Sequence, residues 1–148
     1  MGISICCLLV EDDADDREIF SLALQGVDAE VKLVTANDGE QALTRFREDV
    51  AFLPHCIFID LNMPRMNGQE CLEEIRKINR LKDIPIVMYS TTVNANYVTE
   101  ALRHGATDFI VKPVTIEALT ESIAKIFAKL QPVFADITAA IENNSAPL

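Results

Sequence analysis

Acidic residues, a hydroxyl group and a lysine follow short apolar segments at four places in the chain. Glu11 and Asp12 follow the first of these segments, and Asp60, Ser90 and Lys112 close three later ones. Carboxylates crowded together repel one another and raise each other's pKa unless a cation lies between them. One lysine cannot neutralise three carboxylates, whereas a hard divalent cation with oxygen ligands can. The set predicts a Mg²⁺ site, with Ca²⁺ or Mn²⁺ less well suited.

Asp60 has the neighbours that a phosphoryl acceptor needs. Phosphoryl transfer depends mainly on alignment and on neutralising the equatorial phosphoryl oxygens. Mg²⁺ would take one of these oxygens, Lys112 another, and the Ser90 hydroxyl or nearby backbone N–H groups the third. Nothing in the set resembles a fixed base that activates water strongly, so an acyl phosphate on Asp60 could persist. We therefore predict a phosphoryl-accepting switch.

The fold that brings these residues together is predicted from five apolar segments that alternate with segments of helical periodicity. The predicted strands are Ser4–Val10, Glu30–Thr35, Cys56–Asp60, Ile84–Ser90 and Asp108–Val111. The first, third and fourth are nearly all apolar, as in strands buried on both faces of a parallel sheet. Right-handed crossovers then place helices on both faces, and ligands bind beyond the carboxyl ends of the strands.

Helix-start signals lie between the predicted strands. We expect Asp13 to cap the first helix, with Asp15 and Asp16 as solvated acids in its first turn. Three further helices begin at Asn37-Asp38-Gly39, after Asn67-Gly68 and near Asn94, the last of these ending at Gly105, and a fifth begins at Thr115. We expect His55 and His104, in loop or helix-end contexts, to be surface residues.

Length and charge limit the class of protein. The chain has 148 residues, which suits a single domain over 1–131 and a tail over 132–148 with a short helix at Val133–Ile141 and no effector domain. The net charge of −10 disfavours direct binding to nucleic acid. The apolar run Ile3–Val10 is too short to cross a bilayer, so we expect a cytoplasmic protein without a membrane partner. The four cysteines are interpreted as small buried residues.

Other ligand sites fit the sequence poorly. A flavin mononucleotide site needs Ser, Thr and Gly after the first strand, where this chain has acids. A dinucleotide or P-loop site needs a glycine-rich turn, which the sequence lacks there. A phosphatase with an aspartyl nucleophile could want a second acid two residues later, and that position is Asn62.

The motifs in combination resemble the receiver domain of two-component response regulators, of the stand-alone, single-domain type. They are Leu-Leu-Val-Glu-Asp-Asp, Ile-Asp-Leu-Asn-Met-Pro-Arg-Met-Asn-Gly, Tyr-Ser-Thr-Thr and Val-Lys-Pro, in the family's order, and the resemblance runs from about Ile3 to Leu130. It implies a flavodoxin-like α/β fold, a doubly wound (βα)₅ parallel sheet with strand order 2-1-3-4-5.

The resemblance also implies roles for individual residues. Asp60 is the phosphoacceptor, which also binds Mg²⁺, and Asp12 is the direct metal ligand, with Glu11 acting through a bound water. Lys112 is the family's lysine, and the Lys112–Pro113 bond would be cis. The remaining roles are a metal ligand in the backbone carbonyl of Asn62, a switch hydroxyl in Ser90, a switch aromatic in Phe109, and positions that tune dephosphorylation in Asn62 and Thr92.

The function implied is signalling, with no enzymatic activity beyond the protein's own phosphorylation and dephosphorylation. A histidine kinase or histidine phosphotransfer protein would phosphorylate Asp60, as in a phosphorelay. Ser90 and Phe109 would then reshape a face formed by the fourth helix, fifth strand and fifth helix, which contacts the downstream protein. Two alternatives stay open: an adaptor with this fold that is not phosphorylated, and a Mg²⁺-dependent phosphatase. Glu11, Ser90 and Phe109 replace the more familiar Asp, Thr and Tyr.

Overall fold

A five-stranded parallel sheet forms the centre of the molecule in the computed structural model, which describes residues 4–91 and 94–145. The strand order is β2-β1-β3-β4-β5, and every neighbouring pair is parallel. The strands are β1 Cys6–Val10, β2 Lys32–Ala36, β3 Cys56–Asp60, β4 Ile86–Ser90 and β5 Asp108–Val111. The predicted fold class and strand order are confirmed.

Helices follow each strand. They are α1 Ala14–Val27, α2 Gly39–Glu48, α3 Gly68–Arg76, α4 Ala95–Arg103 and α5 Ile116–Ser145. The side chains of Asp13, Asp38, Asn67 and Asn94 each accept a backbone N–H in the first turn of α1 to α4. These caps satisfy donors that a helix leaves unpaired at its start. The predicted helix starts are therefore correct, including Thr115, whose hydroxyl oxygen accepts the N–H of Ala118.

Both faces of the sheet are covered, which explains the apolar sequences of the central strands. Side chains of α1 and α5 pack against one face, and side chains of α2, α3 and α4 against the other. All residues of β3 and β4 are buried. When helices cover both faces of a parallel sheet, ligands can reach it at the ends of its strands. Polar functional residues are therefore expected there.

Helix α5 is longer than the sequence predicts. We predicted a separate short helix at Val133–Ile141, whereas α5 continues through Pro132 to Ser145. Pro132 lacks an N–H and lies on the exposed side, where water can serve the carbonyl that loses its partner. Beyond Pro132, Phe134 and Ile137 are buried, and they belong to the clusters on opposite faces of the sheet. The packing that these side chains gain favours helix continuation over a break.

His55 is fully buried, so the prediction of a surface position is wrong. It immediately precedes β3, and its Nδ1 accepts the N–H of Cys6 at 3.1 Å. Its Nε2 lies 2.9 Å from the hydroxyl oxygen of Thr138 on α5, and its ring packs edge-on against Phe134. The extension of α5 therefore covers a position that the sequence alone would leave in solvent.

Within residues 4–91 and 94–145, none of the helices has the length and apolar character needed to cross a membrane.

Candidate functional site

Four chain segments converge at the carboxyl end of the sheet and bring the predicted site residues together. Glu11 and Asp12 follow β1, and Asp60 is the last residue of β3. One carboxylate oxygen from each of these three residues lies within 4.8 Å of the other two. Glu11 and Asp60 are buried, whereas Asp12 is exposed. The cluster therefore has a solvent-facing side through which a cation can enter.

The loop after β3 shapes the surroundings of Asp60. The N–H of Asn62 donates to Asp60 Oδ1 at 3.1 Å, which orients the carboxylate. Gly68 begins α3 directly beside this strand end: a Cβ added there would overlap the carbonyl oxygen of Asp60 and lie 2.7 Å from Leu61 Cα. The N–H of Gly68 donates to the Leu61 carbonyl at 2.9 Å. Only glycine permits this close approach of α3 to the site.

Ser90 ends β4 next to Asp60 and is buried. Its hydroxyl oxygen accepts a hydrogen bond from Asn62 Nδ2 at 3.2 Å. Asn62 thus binds Asp60 through its backbone and Ser90 through its side chain. This double contact connects the loop after β3 to the end of β4.

Lys112 places an ammonium group among the carboxylates of this site. Its Nζ donates to Glu11 Oε1 at 2.7 Å and to Asp16 Oδ2 at 2.9 Å, and it lies 3.6 Å from Asp60 Oδ2. The N–H of Lys112 donates to the Ser90 carbonyl at 2.8 Å, which fixes the start of this side chain. The ammonium therefore lies among three carboxylates, and the Lys112 side chain is only 10% exposed.

Burial and crowding shift the pKa values of the groups at the site. Burial, followed by a hydrogen bond to the Asp60 carboxyl, raises the pKa of Glu11 well above its usual range, although Lys112 opposes this. Burial alone would lower the pKa of Lys112, but its bonds to Glu11 and Asp16 outweigh burial and raise it. Burial raises the pKa of Tyr89 to about 12. A raised pKa favours the neutral form of Glu11, yet the other carboxylates around Lys112 still outnumber its single positive charge.

Sequence reasoning missed two residues of the site. We predicted Asp16 to be a solvated acid, yet it binds Lys112. Tyr89 is buried on β4, and Lys112 Nζ lies 4.7 Å from the centre of its ring. Helical periodicity could have identified Asp16, because it precedes the buried residues Phe20 and Ala23 by four and seven positions. Tyr89 lies in the predicted strand Ile84–Ser90 and directly precedes Ser90, so its place near the site could also have been predicted.

Other predicted site residues lie at or near this end of the sheet. Phe109 is half-buried on β5, in register with Met88 of β4, and packs against the core on the α2–α4 side. Thr92 lies outside the described residues.

The described residues contain no cis peptide bond, so the expectation of a cis Lys112–Pro113 bond is wrong. The trans isomer is the more stable form of an X–Pro bond by about 0.5–1 kcal/mol.

The donor set fits a hard divalent cation. Glu11, Asp12 and Asp60 offer only oxygen atoms, and the exposed side of the cluster leaves room for waters. Mg²⁺ prefers carboxylate ligands from the protein and keeps several waters. Soft or borderline metals favour sulfur and imidazole ligands, and neither is part of this cluster.

Comparison with protein families gives a match over most of the chain. The model of the response regulator receiver domain matches residues 7–124. A probable transcriptional regulator, ycf27 of Porphyridium aerugineum, is 30% identical over 140 residues, which are 95% of this chain and 52% of that protein. The transcriptional regulatory protein ZraR of Klebsiella oxytoca is 33% identical over 86% of this chain and 27% of its own length. The chain thus spans about half or less of these two relatives.

Solved structures show the same fold. The phosphorylated cyanobacterial phytochrome response regulator RcpA has a TM-score of 0.76 and 29% identity, covering 84% of this chain and 92% of that one. The chemotaxis protein CheY4 of Vibrio cholerae has a TM-score of 0.73 and 31% identity, covering 84% and 99%. The Mn²⁺-bound form of response regulator Rcp1 has a TM-score of 0.73 and 26% identity, covering 84% and 92%.

Proposed function

The chain belongs to the response regulator receiver domain family, and from that premise we propose that it accepts a phosphoryl group on Asp60 in a Mg²⁺-dependent reaction. One observation carries this proposal: a buried carboxylate at a strand end lies within 4.8 Å of two further carboxylates and 3.6 Å from a lysine ammonium. This arrangement combines a nucleophile, a cation site and a positive charge. Those are the parts that phosphoryl transfer to a carboxylate requires.

The residues at the site divide the work. Mg²⁺ bound by Asp12, Asp60, the Asn62 carbonyl and, through water, Glu11 would neutralise phosphoryl oxygens. Asp60 would supply the attacking oxygen: its bond to phosphorus forms as the donor's bond to phosphorus breaks, and the donor leaves with that electron pair. Lys112 would bind a phosphoryl oxygen, since its ammonium already lies beside the carboxylate that gains the group.

Ser90 and Phe109 would convert this chemistry into a change of surface. A phosphoryl group on Asp60 would attract the Ser90 hydroxyl, and the movement of β4 would make room for Phe109 on the neighbouring strand. Asn62 contacts both Asp60 and Ser90, which supports a role in setting the phosphoryl lifetime. Thr92 is proposed for the same role from its position in the motif alone.

The proposed downstream surface is the face formed by α4, β5 and α5. Val111 on β5 exposes an apolar side chain, 43% accessible, two residues after the half-buried Phe109, and Tyr97 on α4 is 48% accessible. Exposed large apolar groups favour protein contacts. We propose that output runs through this face to another protein.

We propose that the phosphodonor approaches beside Lys112, between α1 and the start of α5. A cavity of about 480 Å³ lies there, lined in part by Ile19, Val114 and Ile116, each at least partly exposed. Apolar side chains beside the entrance to a charged site suit a protein donor, which we propose to be a histidine kinase or phosphotransfer protein. A cytoplasmic location completes the proposal, and the four free cysteines suit such a reducing compartment.

Incubation with acetyl phosphate and Mg²⁺, followed by intact-mass measurement, tests the proposal. The wild-type chain should gain one phosphoryl group, and Asp60→Asn should gain none because the amide is a poor nucleophile. Asp136→Asn, which removes an exposed acid from α5, should behave as the wild type. Chelation of Mg²⁺ should abolish the adduct.

Two results would contradict this function. Absence of an adduct with acetyl phosphate and with a panel of phosphorylated kinases would favour the non-phosphorylated adaptor. Repeated hydrolysis of small phosphate esters, without an adduct that can be isolated, would favour the phosphatase.

A further inference from the structure

Asp16 contacts Lys112 at the site but has no role in the proposed phosphoryl transfer. It lies in the first turn of α1, and its Oδ2 accepts a hydrogen bond from Lys112 Nζ at 2.9 Å. Its neighbour Arg17 donates from Nη1 to the carbonyl oxygen of Glu11 at 2.8 Å. The start of α1 is therefore attached to the site through two side chains.

The position of the Lys112 ammonium shows what Asp16 does. An ammonium group has three N–H donors, and two are used by Glu11 and Asp16 at hydrogen-bonding distance. The distance of 3.6 Å to Asp60 Oδ2 exceeds that of a good hydrogen bond. The Tyr89 ring bounds another side of the ammonium, with its centre 4.7 Å from Nζ. Lys112 is thus held beside Asp60 as an ion pair, without a hydrogen bond to it.

We propose that Asp16 is a positioning residue that keeps Lys112 off Asp60, so that the Asp60 carboxylate stays open for Mg²⁺ and for the phosphoryl group. This inference rests on the proposed function, because it concerns the same carboxylate. Without the Asp16 charge, the nearest remaining acceptors for Lys112 are Glu11 and Asp60 Oδ2. The ammonium then moves within hydrogen-bonding distance of Asp60 and competes with a cation for the cluster.

Asp15 provides a matched comparison in the same helical turn. It carries the same charge one position earlier, but it is exposed and makes none of the contacts to Lys112. The charge of Asp15 is screened by water and salt, whereas Asp16 contacts a Lys112 side chain that is only 10% exposed. Replacing either residue by Asn removes one negative charge, but only the replacement of Asp16 removes a contact that positions Lys112.

The experiment is a Mg²⁺ titration followed by backbone amide chemical shifts near Asp60, for the wild type, Asp16→Asn and Asp15→Asn. Asp16→Asn should weaken Mg²⁺ binding by about three- to ten-fold, the range expected for a partly buried ion pair. Asp15→Asn should change it by less than about two-fold. Asp16→Glu, which restores a carboxylate, should recover part of the affinity.

A Lys112→Met background separates positioning from a general effect of charge. If Asp16 acts through Lys112, then Asp16→Asn in this background should change Mg²⁺ affinity no more than Asp15→Asn does. If Lys112→Met does not fold, the rate of adduct formation gives a second measurement. The Asp16→Asn rate should fall below the wild type at low Mg²⁺ and approach it at saturating Mg²⁺, because excess cation displaces the lysine.

Equal Mg²⁺ affinities for Asp16→Asn and Asp15→Asn would overturn the inference, and so would tighter binding in Asp16→Asn. A defect that persists at saturating Mg²⁺ would overturn it as well. These results are distinguishable from failure of the proposed function, in which the wild-type chain itself forms no adduct while its Mg²⁺ affinity can still be measured.

Discussion

Buried polar residues at the two ends of β3 are in opposite electrostatic situations: His55 directly precedes the strand, and Asp60 is its last residue. At its start, His55 has both ring nitrogens paired, with the Cys6 N–H and with the Thr138 hydroxyl. At its end, Asp60 lies beside Glu11 and Asp12 with one lysine among them. The first end is neutral and satisfied, whereas the second has more negative charge than its own cation balances.

This difference separates a structural polar site from a functional one. A buried group whose hydrogen bonds are all made stabilises the fold and has no need of a ligand. Carboxylates held together against their repulsion cost stability, and a bound cation recovers it. Burial of a polar residue alone is thus a poor indicator of function in this protein, and the balance of charge is a better one.

The largest expected change in stability is at the start of β3, where His55 has both ring nitrogens paired. His55→Ala should lower the free energy of unfolding by about 3 kcal/mol, because it leaves the Cys6 N–H without its acceptor and opens a cavity beside Phe134. Urea denaturation measures this change. The half-exposed His104 is the control, and its replacement by Ala should cost less than about 1 kcal/mol.

Phosphorylation should survive that substitution. At a temperature where His55→Ala is folded, its rate of adduct formation should match that of the wild type. A specific loss of phosphorylation would mean that the two ends of β3 are functionally coupled. It would contradict the view that His55 has a structural role alone.

The two ends should also respond to pH with opposite signs. Burial lowers the pKa of His55, so the unfolded chain binds more protons, and stability falls as the pH drops below the ordinary value of 6.5. This slope is at most about 1.4 kcal/mol per pH unit. The pKa of Glu11 is raised instead, so its contribution in the metal-free protein is lost as the pH rises above 4.5.

Denaturation at a series of pH values, with a metal chelator present, measures both contributions. The decline below 6.5 should be smaller in His55→Ala, and the decline above 4.5 should be smaller in Glu11→Gln. Unchanged pH profiles in these two variants would show that other groups control the stability.

The smallest expected effect has the opposite sign to that of His55→Ala. In the metal-free protein, Asp60→Asn should raise the free energy of unfolding by about 1 kcal/mol, because it removes one of three neighbouring carboxylates. Mg²⁺ should stabilise the wild type more than this variant. Denaturation with and without Mg²⁺ checks both statements, and destabilisation of metal-free Asp60→Asn would argue against net repulsion at the site.

Much of the site could be predicted from the sequence because a parallel sheet aligns its strand ends. Once β1, β3 and β4 are identified from their apolar runs, Asp60 and Ser90 must lie near the residues that follow β1. Asp16 was missed because its partner depends on the rotation of α1, although the buried positions of Phe20 and Ala23 contain that information.

Two further errors, the end of the last helix and the position of His55, have a common cause in α5. Pro132 indicated a helix end, and the sequence gives no measure of the packing that Phe134 and Ile137 gain beyond it. Because α5 continues, Thr138 reaches His55 and buries it. When contacts with residues distant in sequence stabilise a helix beyond a proline, local sequence signals do not reveal the continuation.

The most direct test of the account is to locate the phosphoryl group on the chain. Borohydride reduces an acyl phosphate and leaves a modified side chain that peptide mass spectrometry can identify. After treatment with acetyl phosphate and Mg²⁺, the modification should occur at Asp60 alone. Modification at Asp12 or Glu11 with Asp60 unmodified, or at no carboxylate, would contradict the assignment of Asp60 as the phosphoacceptor.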